Sequence, residues 1–241
     1  FMNRGVFTFE GGTDKLIGLM SRELLDKGVD ICTHARVERV LVEHGVATGV
    51  VVKDRTIRAG AVISNAGITN TIDRLVGREQ FAKEFLGRFG KVKVNNSSCQ
   101  VYFGIRKGEQ IDDIGDLLFT STAEEFSSEE MRRMGTKSRT FSLYYPRTRP
   151  DAPPDYTIVA SMNANYDDWV GLDKAAYRQA KEAMIERCLV DLERYIPGVR
   201  GKIDTIESAT PKTFHRYTLH TKGTSFGTKF EGLDISRSLH K

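Results

Sequence analysis

Apolar positions along the chain follow distinct rhythms, and each predicts a different element. Leu16, Ile17, Met20, Leu24 and Leu25 recur at helical spacing, with Thr13 as a capping residue and Gly28 suited to a left-handed stop. From Ala35 the period falls to two. Val40 and Val42 alternate with Arg39 and Leu41, His44-Gly45 makes a turn, and Val46–Lys53 is strongly β-branched. Asp54-Arg55 turns again, and Thr56–Arg58 closes a three-stranded meander. Two short apolar runs, Val29–Thr33 and Ala61–Ser64, read as strands, the second of the fully buried kind found in parallel sheets.

After Gly67 the character changes. Thr69–Val76 and Glu79–Leu86 read as short helices and Glu124–Met134 as an exposed one. Ser98–Arg106 alternates, with Cys99, Val101, Phe103 and Ile105 on one face and Gln100 and Tyr102 on the other. Leu117–Thr120, Thr140–Tyr145, Tyr156–Met162 and Lys202–Ser208 are further strands, and the four prolines between Pro146 and Pro154 mark a loop at a sheet edge. Asp173 caps a long helix, Lys174–Tyr195, whose stripe is Tyr177, Ala180, Met184, Cys188 and Leu192. The order predicts α/β plus α+β: residues 1–68 with parallel-sheet character, 69–210 an antiparallel sheet carrying helices, and 211–241 a tail without strong periodicity.

Composition narrows the function classes. Of 241 residues, 39% are hydrophobic and 28% charged, enough for a real core and a wetted surface. A net charge of +4, with basic and acidic residues interleaved, does not point to nucleic acid. No apolar run reaches the ~20 residues of a membrane span, and no basic-then-apolar leader opens the sequence; the expected location is cytoplasmic. Cys32, Cys99 and Cys188 form no CxxC pair and read as reduced thiols. His215 and His220 lie five apart with no acidic or thiol ligand suitably spaced, so no metal site is expected. Ser64 and Ser225 sit in no G-x-S-x-G context, which argues against a hydrolase, and no residue stands out as a catalytic acid, base or nucleophile. Lys91, Lys93, Arg132, Arg133, Lys137 and Arg139 read as a solvated basic group, and a peripheral contact with anionic membrane is the partner that would use it.

Aromatics concentrate in the second region, among them Tyr102, Tyr144, Tyr145, Tyr156 and Trp169. Strand alternation puts them on both faces of the sheet. One face is expected to pack on the long helix, the other to meet an apolar ligand, with Tyr102, Tyr144 and Trp169 as substrate contacts.

Two small-residue runs gain meaning from their order. Gly11-Gly12-Thr13 opens a helix without being GxGxxG, and Val62-Ile63-Ser64-Asn65-Ala66-Gly67 ends an apolar strand in small residues. Between them lie Gly28-Val29-Asp30-Ile31, Ala35–Val40 and the hairpin Gly45–Val52. This succession resembles the flavin-dependent phytoene desaturase, carotenoid isomerase and retinol saturase family. The likeness continues in Asn65–Thr71 with Leu75, in Tyr195-Ile196-Pro197-Gly198, in Ile206–Pro211, and in Gly223-Thr224-Ser225-Phe226-Gly227.

The resemblance implies a partial FAD-binding, Rossmann-type region over 1–68, a substrate-binding region over 69–210, and a segment from 211 returning toward the cofactor. It places Val37 at the adenine end of FAD, Asn65 and Ala66 near phosphates and ribose, and Gly223 and Gly227 toward the flavin ring. The middle region would wall a channel for an apolar polyene such as a carotenoid or retinoid. The sequence carries neither GxGxxG nor the family's later glycine-rich acidic segment, so this chain alone is expected to bind FAD weakly or not at all and to be inactive. Two other readings are an amine-oxidase or protoporphyrinogen-oxidase-like flavoprotein, and a non-catalytic module that binds apolar ligands.

Overall fold

The computed structural model describes residue 7, residues 9–125 and residues 127–229. In chain order the elements are α1 (Gly12–Asp26), β1 (Val37–Glu43), β2 (Val46–Val52), β3 (Arg55–Arg58), α2 (Ile68–Asn70), α3 (Lys83–Phe89), β4 (Ser97–Ile105) and β5 (Leu117–Ser121). They continue as β6 (Ser138–Tyr144), β7 (Thr157–Ala164), α4 (Asp167–Val170), α5 (Lys174–Glu193), α6 (Val199–Lys202), β8 (Ile203–Ala209) and α7 (Pro211–Thr218). The fold is thus a mixture of helices with two sheets, one of three strands and one of five. The chain divides into two compact units. One joins the residues up to Ile31 with Ser98–Thr210; the other joins Cys32–Ser97 with the chain from Pro211. The divisions thus follow Ile31, Ser97 and Thr210.

In the first unit, the five-stranded sheet has the order β5-β6-β7-β4-β8. β5–β6, β6–β7 and β4–β8 are antiparallel. β4 and β7 also run in opposition: Ile105 N–H donates to Tyr156 O, while the earlier Gln100 reaches the later Ser161. Alternation sets the core. Val101, Phe103, Phe141, Leu143, Ile158 and Ala160 face inward and pack with Met184, Cys188, Leu189 and Leu192 of α5. The expected stripe on α5 is the one the structure buries, with Tyr177 and Ala180 partly covered at its start. Asp173 caps α5, its carboxylate accepting from the N–H groups of Ala175 and Ala176 at 2.8 and 2.9 Å. Asp173→Ala is expected to cost about 1 kcal/mol, and Asp173→Asn only a fraction of that, measured by thermal unfolding.

Arg139 corrects the sequence reading. It does not belong to a solvated basic group: its side chain is 2% exposed and pairs with Asp191 of α5, Nε to Oδ2, at 3.0 Å. Position 139 is in phase with Phe141 and Leu143 on β6, so the strand carries it inward.

Helix α1 forms with none of its residues buried, and Ile17, Met20 and Leu25 are each more than half exposed. Its start is set by Gly11 in the left-handed region rather than by Thr13, which lies inside the helix. Gly28, at φ 77°, makes the expected stop: Gly28 N–H bonds Leu25 O and Val29 N–H bonds Leu24 O. Val29 is therefore held by the helix end, and residues 29–33 form no strand. Residues 61–64 form none either. A parallel strand needs neighbours to take its backbone bonds; this run joins no sheet, and Ile63 is 98% exposed. Among the described residues of 124–134 there is a short turn at Glu130–Arg132 in place of the expected helix. Here side chains capture the backbone: Ser127 Oγ accepts from Glu130 N–H, and the Glu130 carboxylate collects Thr136, Lys137 N–H and Ser138.

In the second unit β1, β2 and β3 make the predicted antiparallel meander, with Gly49 opposite Arg58. A Cβ at residue 49 would lie 2.3 Å from Ile57 O, so only glycine fits there. No helix among the described residues is long and apolar enough to cross a membrane.

Candidate functional site

The singled-out residues gather in two places, one in each unit. In the second unit, the loop after β3 is held by Ser64 Oγ, which lies 2.7 Å from Thr71 Oγ1 and accepts from Ala66 N–H. Gly67, at φ 80°, turns the chain into α2. Asn70 then uses both protons of its amide nitrogen, donating to Ala66 O at 3.1 Å and to Leu219 O at 2.8 Å. The chain continues as a π-helical turn, Thr71–Val76, closed by Gly77 N–H to Ile72 O at 3.1 Å. Such turns recur at functional sites. Leu219, just beyond α7, sits at φ 58°, a strained conformation for a large side chain.

These pieces enclose a cleft of about 550 Å³ lined by Val37, Ala66, Asn70, Arg74, Leu75 and Leu219, with Arg36, Glu38 and Thr218 completing it. The ladder shifts register between Val37 and Arg39, so the strand is irregular where it meets the cleft. Neither Arg36 nor Arg74 has an ion-pair partner among the described residues, which leaves two cations at the opening. A smaller cleft of about 40 Å³ shares Asn70 and is lined by Gly67, Val94, His220, Thr224 and Gly227. The Nδ1 atoms of His215 and His220 lie 2.8 and 3.2 Å from the carbonyls of His220 and Thr224. A carbonyl partner requires a proton on Nδ1, so in each neutral ring Nε2 carries the lone pair. No group of three His, Cys, Asp or Glu among the described residues could hold a metal.

The structure therefore brings Val37 and Ala66 into one cleft and Gly227 into the neighbouring one. Asn65 is exposed and lines neither. Gly223 is buried at φ 56°, and a Cβ there would lie 2.4 Å from Pro211 O; its missing side chain makes room for the protein's own turn. Asn70, Arg74 and Leu219 were not anticipated as site residues. Asn70 lies inside the Asn65–Thr71 run that carries the resemblance, and its spacing from Ala66 is the only sequence signal for the clamp.

In the first unit, the sheet face opposite α5 holds the aromatics. Tyr102 on β4 is half-buried, and Tyr144 on β6 and Phe119 on β5 are 40% and 65% exposed. Tyr102 Oη donates to Gln100 Oε1, and Gln100 Nε2 donates to Ser161 Oγ at 3.3 Å. Burial foremost, then the neighbouring Glu207 and Tyr144, raises the Tyr102 phenol above its ordinary pKa, so it stays neutral. Trp169 is not brought to these tyrosines. It is 3% exposed, within the core on the α5 side, and meets Tyr177 edge-on at 5.9 Å.

No protein-family model matches the chain. It is 27% identical over 217 residues to the chloroplastic prolycopene isomerase of Arabidopsis thaliana, covering 89% of this chain and 36% of that protein. It is 26% identical over 232 residues to the lycopene-forming phytoene desaturase of Pseudescherichia vulneris, covering 88% of this chain and 44% of that protein. Among solved structures, an oxidoreductase from Methanosarcina mazei shares the fold at a TM-score of 0.54 and 22% identity, covering 83% of this chain and 42% of that one. The relatives are thus prolycopene isomerases and phytoene desaturases, as the motifs implied, and the chain spans between 36% and 44% of the length of these two.

Proposed function

We propose that this chain, a relative of prolycopene isomerases and phytoene desaturases, is the substrate-binding and partial cofactor-binding portion of a flavin-dependent oxidoreductase acting on an apolar isoprenoid. The observation that carries the reading is the 550 Å³ cleft in which Val37 and Ala66 meet. Cofactor and ligand pockets run from roughly 300 to 1,000 Å³, and this one suits the adenosine end of a dinucleotide. Val37 and Ala66 offer backbone and small apolar surface to a flat ring, Asn70 fixes the wall, and Arg36 and Arg74 offer charge to phosphate. FAD, when bound, supplies the two-electron chemistry; the protein's part is to hold it, orient the isoprenoid and exclude water.

The open face of the five-stranded sheet, with Tyr102 and Tyr144, is the substrate side of this reading. The chain contains no GxGxxG loop, whose helix N-terminus would grip the pyrophosphate, so FAD should bind weakly to it. Amide NMR of the isotope-labelled chain titrated with FAD tests this. The expected result is a saturable shift of the Val37, Ala66 and Asn70 amides at millimolar FAD, halved or better by Arg74→Ala. Silence at those amides would overturn the cofactor assignment, and a protein purified yellow with stoichiometric FAD would overturn the weak grip.

A further inference from the structure

We infer that the groove between β8 and the first half of α5 is a docking surface for an extended, acidic segment of a partner protein, taken up as a sixth strand of the sheet. The groove lies wholly within the first unit, on the α5 side of the sheet. Two independent observations carry the inference. One is an open edge. Among the described residues β8 pairs with β4 alone and stands last in the order β5-β6-β7-β4-β8. Alternate residues of Ile203–Ala209 therefore turn their N–H and C=O groups outward, where a further strand can bond them. The other is a row of unmatched charge. Lys174, Arg178 and Lys181 share one face of α5, and all three line a groove of about 650 Å³ together with Ile206 and Ser208. None of the three has an ion-pair partner among the described residues. Lys181 is held over the Tyr177 ring, its Nζ 5.9 Å from the centroid. One carboxylate, Glu182, lines the helix wall. Glu207 stands opposite Tyr102 in the register, so alternation sends its side chain to the other face. The helix wall thus carries three positive charges against one negative.

Ile206 and Ser208 pair with Phe103 and Val101, whose side chains pack in the core under α5, so both point to the helix side. Ile206 is 43% exposed and, with half-buried Tyr177 and Ile185, gives the groove an apolar floor. A bare edge beside such a floor invites pairing, and the helix charges choose the partner. The spacing fits a strand. Lys174 and Lys181 are about 10 Å apart along the axis, at ~1.5 Å per residue. Alternate side chains of a strand stand about 7 Å apart. Carboxylates at positions i and i+2 of an extended segment therefore both meet the cation row, and an apolar residue at i+4 reaches Ile185 and Ile206. A phosphate group would meet the cations and leave the edge unbonded. A flat membrane surface cannot enter a groove between a helix and a strand edge.

The probe is a capped seven-residue peptide with glutamate at its second and fourth positions, leucine at its sixth and threonine elsewhere, titrated into the whole isotope-labelled chain. Amide NMR is expected to show saturable shifts at Ile206, Glu207 and Ser208, with hydrogen exchange of the outward-facing β8 amides slowed about tenfold at saturation. The same peptide with glutamine for glutamate should bind about fivefold more weakly, the loss of two exposed ion pairs. The double variant Arg178→Ala/Lys181→Ala should weaken the glutamate peptide by a similar factor and leave the glutamine peptide unchanged, with an unaltered melting temperature showing that it is folded. Of two peptides N-methylated on alternate amides, the one blocked on its β8-facing side should lose binding. Absence of shifts at 206–208 with millimolar peptide would overturn the docking surface. Equal affinity of the glutamate and glutamine peptides would overturn the choice of an acidic partner, and indifference to both methylation patterns would overturn strand addition. Inorganic phosphate or phosphatidylserine vesicles moving these amides where the peptide does not would give the cations to a phosphate or a membrane and overturn the protein partner.

Discussion

Asp191→Ala is expected to destabilise the first unit by about 3–5 kcal/mol, lowering its melting temperature by on the order of 10 °C. The reason is what remains. Arg139 stays buried, its side chain 2% exposed, and among the described residues Asp191 is the carboxylate that pairs with it, at 3.0 Å. Its other contacts are neutral: Thr136 O at 3.0 Å and Cys188 Sγ at 3.5 Å. Cys188 cannot take over the role, because burial pushes its thiol up to about 11 and keeps it uncharged. Arg139→Met should cost less, since Asp191 keeps Arg194 at 3.8 Å and that arginine is more than half exposed to water. The double variant Arg139→Met/Asp191→Leu removes both charges and should recover most of the loss, because burying a pair is expensive in itself. Thermal melts of the four proteins form a double-mutant cycle. Simple additivity of the two single changes would show that the pair is not coupled.

That pair also shows where sequence reasoning stops. The alternation of β4 and the stripe of α5 are local patterns, and folding only had to bring them together; both were legible residue by residue. The meander was legible for the same reason, since its turns and β-branched strands are near neighbours in sequence. Arg139 carried a conflicting pair of signals. Its charge says surface, its phase with Phe141 and Leu143 says core, and the phase prevails because a partner 52 positions later supplies the opposite charge. Strand phase also told which way Tyr102 points. Trp169 had no such guide: it lies on α4, a helix of 4 residues, too short to show a period. The runs at 29–33 and 61–64 failed because an apolar run states that burial suits it, not that a neighbouring strand exists. In the second unit, Val37 and Ala66 were matched to a cofactor by resemblance alone, and no periodicity joins residues 29 positions apart into one cleft.

The cleft depends on Asn70, and two substitutions there should separate hydrogen-bond direction from size. Both of its bonds are donated by Nδ2, to Ala66 O at 3.1 Å and Leu219 O at 2.8 Å, across a residue that is 9% exposed. Asn70→Ala leaves two partly buried carbonyls without that donor and is expected to cost about 1–2 kcal/mol. Asn70→Asp preserves the shape yet should cost more, about 3–4 kcal/mol at pH 7, because a carboxylate donates nothing and faces two carbonyl oxygens. That environment disfavours the charged form, so the folded-state pKa of the new carboxyl lies above its unfolded value of about 3.9. Between those two values the folded state holds more protons than the unfolded one, and stability falls as pH rises. The excess penalty of Asn70→Asp is therefore fully present above the folded pKa and disappears as pH drops through 4, where the protonated carboxyl can donate one of the two lost bonds. Urea unfolding of both variants at pH 7 and pH 4 reads this directly. Leu219 adds a second signature: its φ of 58° is held in place by the bond from Asn70, so loosening the clamp should release the turn. Hydrogen exchange of the 219–224 amides is expected to rise about tenfold or more in Asn70→Asp, in step with the stability loss. Equal stability of the aspartate and alanine variants at pH 7, with exchange at 219–224 unchanged, would mean that the carbonyls find other donors and that Asn70 does not hold the cleft.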